Sequence, residues 1–462
     1  MKFREEQRDV EKLQERLGKE QIGKLLREFS VPATIGMLVN ALYNVIDRMF
    51  IGQSADLASL GLAALSVSFP IMMIMMGLAL MFGAGGASLF SIKLGEKDEE
   101  GAARILGNGI AMIFVSAFIF MILALSNLEG LLRLFGASEE SLPYAMEYMK
   151  IILYASLLQG PAVGCNHFMR ADGSPKSAMI SMFLGAGFNI IFDYIFIFNL
   201  HLGMKGAALA TIGGQGLSAL WGLSYFISKR SKVRLRFSYL RLNLKLTQKI
   251  AVAGLPSFFA QTSASFINII LNNRLGYYGG DVAISGMGAV SSLQQFFTMP
   301  IIGISHGSQP IIGYNKGVGD EKRVLKTLRL AITAATVVST LGYLLTRFIP
   351  GPLIAFFGRE EAFLQFGKTA VTTWFFLLPA LGTQIIGALF FQAIGKPKVA
   401  LFLTLSRQVI FIVPAILLLS NLFGLKGVLY AGPVSDGISF LITLSILIFE
   451  VTRVRKRKSN SK

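Results

Sequence analysis

The sequence predicts an all-α integral membrane protein with twelve transmembrane helices in two six-helix lobes related by a pseudo-twofold axis. Three observations carry that reading. The 462 residues are 53% hydrophobic and only 15% charged, with 37 Phe, 18 Met and 48 Gly, which lies outside the composition of soluble domains. Apolar runs of about 20 residues, enough to cross roughly 30 Å of hydrocarbon as helix, recur from Phe29 to the C-terminus. The chain also matches itself at a fixed offset.

The twelve spans fall near residues 29–52, 57–92, 104–126, 141–166, 176–200, 205–228, 250–275, 282–313, 327–349, 363–390, 398–421 and 427–450. Residues 1–28 precede them as a segment dense in both charge signs, without the short apolar core and cleavage site of a secretory signal. Within it Val10, Leu13 and Leu17 have helical spacing. That pattern is read as a solvated helix, with a helix lying on the membrane surface as the alternative. The expected organisation is an N-terminal segment 1–28, a first lobe 29–228, a basic linker 229–249, a second lobe 250–452 and a basic tail 453–462.

The net charge of +18 is distributed by side. If the N-terminus is placed in the cytoplasm, 34 of the 44 Lys and Arg fall on inside segments, one (Arg407) falls within span 11, and nine lie near the outer side. By the positive-inside rule both termini are then cytoplasmic, as expected of a multi-pass protein of the plasma (inner) membrane. Anionic membrane lipids, and no nucleic acid, are the partners this charge implies.

Repetition sets the architecture. "FMRADGSPKSAM" (168–179) aligns with "FFQAIGKPKVAL" (390–401) at six of twelve positions with an offset of 222. "LGMKGAALA" from Leu202 pairs with "FGLKGVLYA" from Phe423, and "KLGEKDEEGAAR" with "NKGVGDEKRVLK". Each copy has an even number of spans and starts on the same side, so the axis relating them runs along the membrane normal. Two lobes around a cleft that opens to either side have the geometry of a transporter. No HExxH, GxSxG or paired His/Asp set supports a membrane enzyme. One cysteine, Cys165, and three histidines without ligand spacing give no disulfide framework, no metal cluster and no cofactor beyond a coupling ion.

Polar residues inside the apolar spans are the candidate site. Asn40, Tyr43, Asn44 and Asp47 stand at i, i+3, i+4 and i+7, one stripe of span 1. Asp47 lies 18 residues above Phe29 and Asp193 lies 17 above Lys176 on rising span 5, so the two carboxylates share a depth. Asn189 sits one turn below Asp193, and Thr211 is in the outer third of span 6. A carboxylate facing lipid costs roughly 2.5–3.5 kcal/mol, so both should face a cavity or a partner. Protons can serve them, or Asp47, Asn189, Asp193 and Thr211 can collect a hard cation such as Na⁺. Arg407 and Asp436 match in depth near the midplane of the second lobe. They are read as a structural ion pair, with a second coupling or substrate site as the alternative.

At these residues the chain resembles the multidrug and toxic compound extrusion (MATE) family, in its DinF-like and MepA-like prokaryotic branch. The resemblance rests on "LYNVIDRMFIG", "AALSVSFPI", "GCNHFMRADGSPKSAM", "LGAGFNIIFDYIFIF" and "LGMKGAALAT", and covers nearly all of the chain after residue 28. It implies secondary antiport, in which inward flow of H⁺ or Na⁺ drives export of amphipathic, often cationic, drugs or toxins; a monomer is the expected state. It also implies that Asp47, Asp193, Asn189 and Thr211 couple the cation and that Asn40, Tyr43 and Asn166 line the cavity. A flippase for lipid-linked or other amphipathic metabolites is the rival reading within the same superfamily. "FPIMMIMMGLALMF" and "LQQFFTMPIIG" are candidate apolar walls for cationic cargo.

Overall fold

The computed structural model describes residues 16–54, 58–228, 230–231 and 233–459, which among themselves are helices and connecting turns. The first lobe is α1 (Ile22–Gln53), α2 (Ala58–Gly95), α3 (Glu99–Ser126), α4 (Leu142–Ala171), α5 (Pro175–Tyr194) and α6 (Gly203–Ile227). The second lobe opens with one helical run, Leu244–Val318, broken at Gly280 into α7 (244–279) and α8 (281–318). Then follow α9 (Glu321–Phe348) and α10, whose halves Glu361–Trp374 and Leu378–Ala393 meet at 51°. α11 (397–423) and α12 (425–459) are divided at Gly424. Both hairpin breaks use glycine at positive φ, 61° and 58°, where a Cβ would be strained.

The two copies repeat their backbone chemistry as well as their letters. Asp98 caps α3 by accepting from the Gly101 N–H, and Asp320 caps α9 by accepting from the Arg323 N–H. α4 and α10 each end on a left-handed glycine, Gly173 and Gly395. Next to these, the Ser174 N–H donates to Met169 O and the Lys396 N–H to Phe391 O, the closing bonds of a helix-ending turn. Aligned positions thus stop and restart helices in the same way 222 residues apart, which is how one short sequence pattern builds both lobes.

Several helices outrun the apolar spans. α1 begins at Ile22, seven residues before Phe29, and α7 begins at Leu244, inside the stretch read as linker. Hydropathy marks the hydrocarbon, whereas helix continues wherever backbone bonds and packing continue. α4 and α6 pack small residues tightly against their neighbours. Gly222 faces Cys165 and Gly164 faces Ile113 so closely that a Cβ would overlap each.

The lobes meet on the half of the molecule that carries both ends of the described chain, near Leu17 and Glu450. A Cβ on Gly254 of α7 would stand 1.7 Å from Met81 O of α2, and one on Gly95 would stand 2.0 Å from Tyr314 O of α8. Gly303 and Gly307 of α8 press on Thr34 and Ser30 of α1 in the same way. Small residues permit backbone-to-backbone contact where lipid offers no hydrophobic drive for association. Hydrogen bonds cross at the same level, with the Ser88 hydroxyl donating to Gln392 O at 2.7 Å.

α1 spans this arrangement. Its lower residues Leu25, Leu26 and Phe29 pack into the core of the second lobe, while Ile51 near its top belongs to a cluster of the first. The segment before α1 corrects the expectation of a solvated helix. Val10 and Leu13 lie outside the described residues, but Leu17 is fully buried. Its carbonyl accepts from Asn315 Nδ2 (3.0 Å) and Arg323 Nη2 (2.9 Å). Arg323 also donates to Glu20 O at 2.8 Å. Long-range backbone acceptors, invisible to helical periodicity, hold the segment on the second lobe.

Candidate functional site

α1 and α5 pack closely enough that a Cβ on Gly36 would lie 2.7 Å from Met182 Sδ. That contact turns the polar stripe of α1 toward α5 one level higher. Asp47 is 8% exposed and Asp193 is fully buried, and the two carboxyl groups interact directly. Immediately after Asp193, α5 widens into a single π turn, Ile195–Asn199, a local irregularity often found at functional positions.

α6 completes the cluster. A Cβ on Gly214 would stand 2.5 Å from Gly185 O and 3.4 Å from the Asn189 Cβ, so this glycine pair lets α5 and α6 touch. Asn189 is buried, and its Nδ2 donates to Thr211 Oγ1 at 3.4 Å. The bond points the amide oxygen the other way. Among the described residues, Asp47 Oδ1, both oxygens of Asp193 and Asn189 Oδ1 are buried without a hydrogen-bond donor.

Ionised carboxylates only accept, and two in contact repel, so a proton or a cation shared between the groups would satisfy the pair. The donor set of carboxylate, amide and hydroxyl oxygen is hard and suits H⁺ or Na⁺ over a soft metal. No group of three or more His, Cys, Asp or Glu suited to a metal ion occurs among the described residues.

The rest of the stripe stands below the acids. Asn44 Nδ2 donates to Asn40 O at 2.7 Å and lies 3.2 Å from Asn40 Oδ1, and the Asn44 side chain is exposed. Tyr43 lies in the field of both acids. Arg48 does not pair with Asp47; it is exposed, with its guanidinium 6.0 Å from the Phe69 ring centre. Above the acids, Phe50 makes edge contacts with Tyr194 and Phe198.

Asn166 is not brought to this cluster. It is buried, with its Nδ2 donating to Ala178 O at 2.7 Å, and Ala178 lies eleven residues below Asn189 on α5, about 16 Å along the helix. Conversely, Tyr148 of α4 is 2% exposed and within electrostatic reach of Asp47, Asp193 and Tyr43. Sequence reasoning missed it, since a tyrosine in an apolar span carries no signal of which side it faces. In the second lobe Arg407 Nε stands 3.4 Å from Asp436 Oδ1, the side chains 20% and 24% exposed. Arg407 lies in a π turn, Ser406–Ile410, and Gln384 Nε2 donates to Asp436 O at 2.7 Å.

A model of the MatE family matches residues 32–195 and again 256–417, one match in each lobe. The chain is 28% identical over 433 residues to the multidrug export protein MepA of Staphylococcus aureus, covering 93% of this chain and 94% of that one. The MepA protein of Staphylococcus saprophyticus is also 28% identical, over 431 residues. Among solved structures, the MATE multidrug transporter DinF-BH in complex with rhodamine 6G matches with a TM-score of 0.88 at 38% identity, covering 93% of this chain and 96% of that one. An outward-facing multidrug resistance MATE family transporter of the MOP superfamily matches with a TM-score of 0.89 at 23% identity, covering 96% of this chain and 98% of that one.

Proposed function

Because the chain belongs to the MatE family of membrane transporters, we propose that it is a secondary active multidrug exporter in which H⁺ or Na⁺ entering at Asp47 and Asp193 drives amphipathic, often cationic, organic compounds outward. The observation that carries the proposal is the buried pair of acids in one lobe, where three of their own oxygens and Asn189 Oδ1 have no donor among the described residues. A small cation answers that demand, and so does the positive end of a drug. The two occupants therefore exclude each other, and exclusion is what antiport requires.

α1 links that event to access. Its upper half carries Asp47, and its lower half is part of the inter-lobe seam through Ser30 and Thr34. Binding that straightens or bends α1 changes the fit of the seam, so charge at Asp47 biases which side is open. Asn40, Tyr43 and Asn44 continue the polar stripe toward the seam and offer hydrogen bonds to cargo. The face carrying both chain ends is the cytoplasmic one in this reading, on the strength of its 34 of 44 Lys and Arg. DinF-BH forms a complex with rhodamine 6G, which makes that dye a suitable first substrate.

The test is efflux of rhodamine 6G from proteoliposomes with separately imposed pH and Na⁺ gradients. The parent should export under at least one gradient. Asp47→Asn should reach the membrane at parental levels and lose gradient-driven export by about tenfold or more. Robust export by Asp47→Asn under either gradient would sink the assignment of the coupling site.

A further inference from the structure

A second buried polar cluster lies outside the carboxylate site, in the seam between the lobes. Arg170 and His167 of α4 are each 5% exposed. His167 meets His306 of α8 across the seam, edge to face, with ring centres 5.0 Å apart. The charge of Arg170 reaches both imidazoles. On the same stretch of α8, His306 Nδ1 and Gln309 Nε2 are buried without hydrogen-bond partners among the described residues, as is Ser30 Oγ of α1, which abuts Gly307.

The inventory is one-sided. The Arg170 side chain donates no hydrogen bond and pairs with no acid among the described residues. The nearest carboxylate in sequence, Asp172, has its Oδ2 taken by the Tyr225 and Ser231 hydroxyls, each at 2.8 Å. A buried guanidinium without a counter-charge is costly, and structures keep one only when something compensates it.

The repeat supplies an internal control. The position matching Arg170 in the second lobe is Gln392, which is neutral and fully used. Its Nε2 donates to Ala253 O at 2.9 Å and to Ser257 Oγ at 3.1 Å, and its Oε1 accepts from Ser257. The first lobe therefore replaces a hydrogen-bonded amide with a cation that has no side-chain partner among the described residues, and sets two imidazoles beside it.

We propose that Arg170, His167 and His306 form an inter-lobe binding site for a phosphate group, either free inorganic phosphate or the headgroup of a phospholipid. The planar guanidinium fork matches a multi-oxygen anion, and imidazole N–H groups from both lobes donate to the remaining oxygens. Because its donors come from α4 on one side and α8 on the other, the anion bridges the seam and favours the state in which this half of the molecule is closed. Parting the lobes dismantles the site.

The experiment uses the purified full-length protein and its thermal unfolding at constant ionic strength, with inorganic phosphate exchanged for chloride. In the parent, phosphate should raise Tm saturably by roughly 2–4 °C. Arg170→Gln, which installs the residue the second lobe uses, should abolish the shift, and Arg170→Lys should keep part of it. Equilibrium binding of radiolabelled phosphate to the parent keeps the proposal testable if Arg170→Gln fails to fold. Native mass spectrometry separates the sources. A phospholipid retained by the parent and lost in Arg170→Gln assigns the headgroup, whereas a Tm shift without retained lipid assigns free phosphate. Neither phosphate binding nor retained phospholipid in the parent, or the same response in Arg170→Gln, overturns the proposal and leaves the cluster to ordered water.

Discussion

Gly254→Ala tests whether backbone contact between α2 and α7 is what closes the half of the molecule that carries the inter-lobe seam. The added Cβ would stand 1.7 Å from Met81 O and 2.5 Å from Met81 C. Such contacts do not occur below about 3.0 Å, so the two helices must part by more than about 1 Å. Met81 O is backbone and cannot swing aside as a side chain would. Alanine is the better helix former by roughly 1 kcal/mol, so the substitution does not weaken α7 itself. The cost falls on the seam, at the roughly 1–3 kcal/mol typical of overpacking. That corresponds to a shift of roughly 5–150-fold toward the state with this half open.

Ser88 reports the change. It is fully buried and bonded to Gln392 across the seam, and the only cysteine, Cys165, is buried and removable by Cys165→Ala. In a Cys165→Ala, Ser88→Cys background, a membrane-impermeant maleimide should label the Gly254→Ala protein about tenfold faster than its Gly254 parent. Equal labelling rates in two folded, monodisperse preparations would refute the argument that this contact closes the seam.

Arg407→Ala and Asp436→Ala should each lower stability by about 1–2 kcal/mol, less than for a fully buried pair because both side chains keep some exposure. The double variant should be no worse than either single in thermal unfolding and in drug resistance; additive losses would assign the two residues separate roles. Asn166→Ala removes the donor to Ala178 O where α4 and α5 adjoin and should cost about 1–3 kcal/mol in unfolding. It should leave the apparent affinity for exported rhodamine 6G unchanged, whereas a large rise in KM would return Asn166 to the cargo cavity.

What could be read from the chain, and what could not, divides by the range of the interaction. Spans of the right length, their even number and the 222-residue repeat depend on local composition. The matched caps Asp98 and Asp320 and the matched glycines Gly173 and Gly395 follow from the same local chemistry. The shared depth of Asp47 and Asp193 needs only the helical rise per residue. α10 reads as one span, yet it bends by 51° just before Pro379, because packing decides whether a proline near a helix start kinks a span or breaks it.

The sequence by itself determined that this protein crosses a membrane twelve times as two copies of one unit, and that polar oxygens sit at one level in the first copy. Hydropathy, helical periodicity and repetition are properties of neighbouring residues, and they survive without knowledge of the fold. Only the tertiary structure decided that Asp47 faces Asp193, that Tyr148 joins them while Asn166 bonds elsewhere, and that His167 meets His306 across the seam. It also decided that the foot of α1 belongs to the second lobe. Each of these depends on the rotation of a helix about its own axis, which is set by where glycines let neighbouring backbones touch and leaves little trace in the order of the residues.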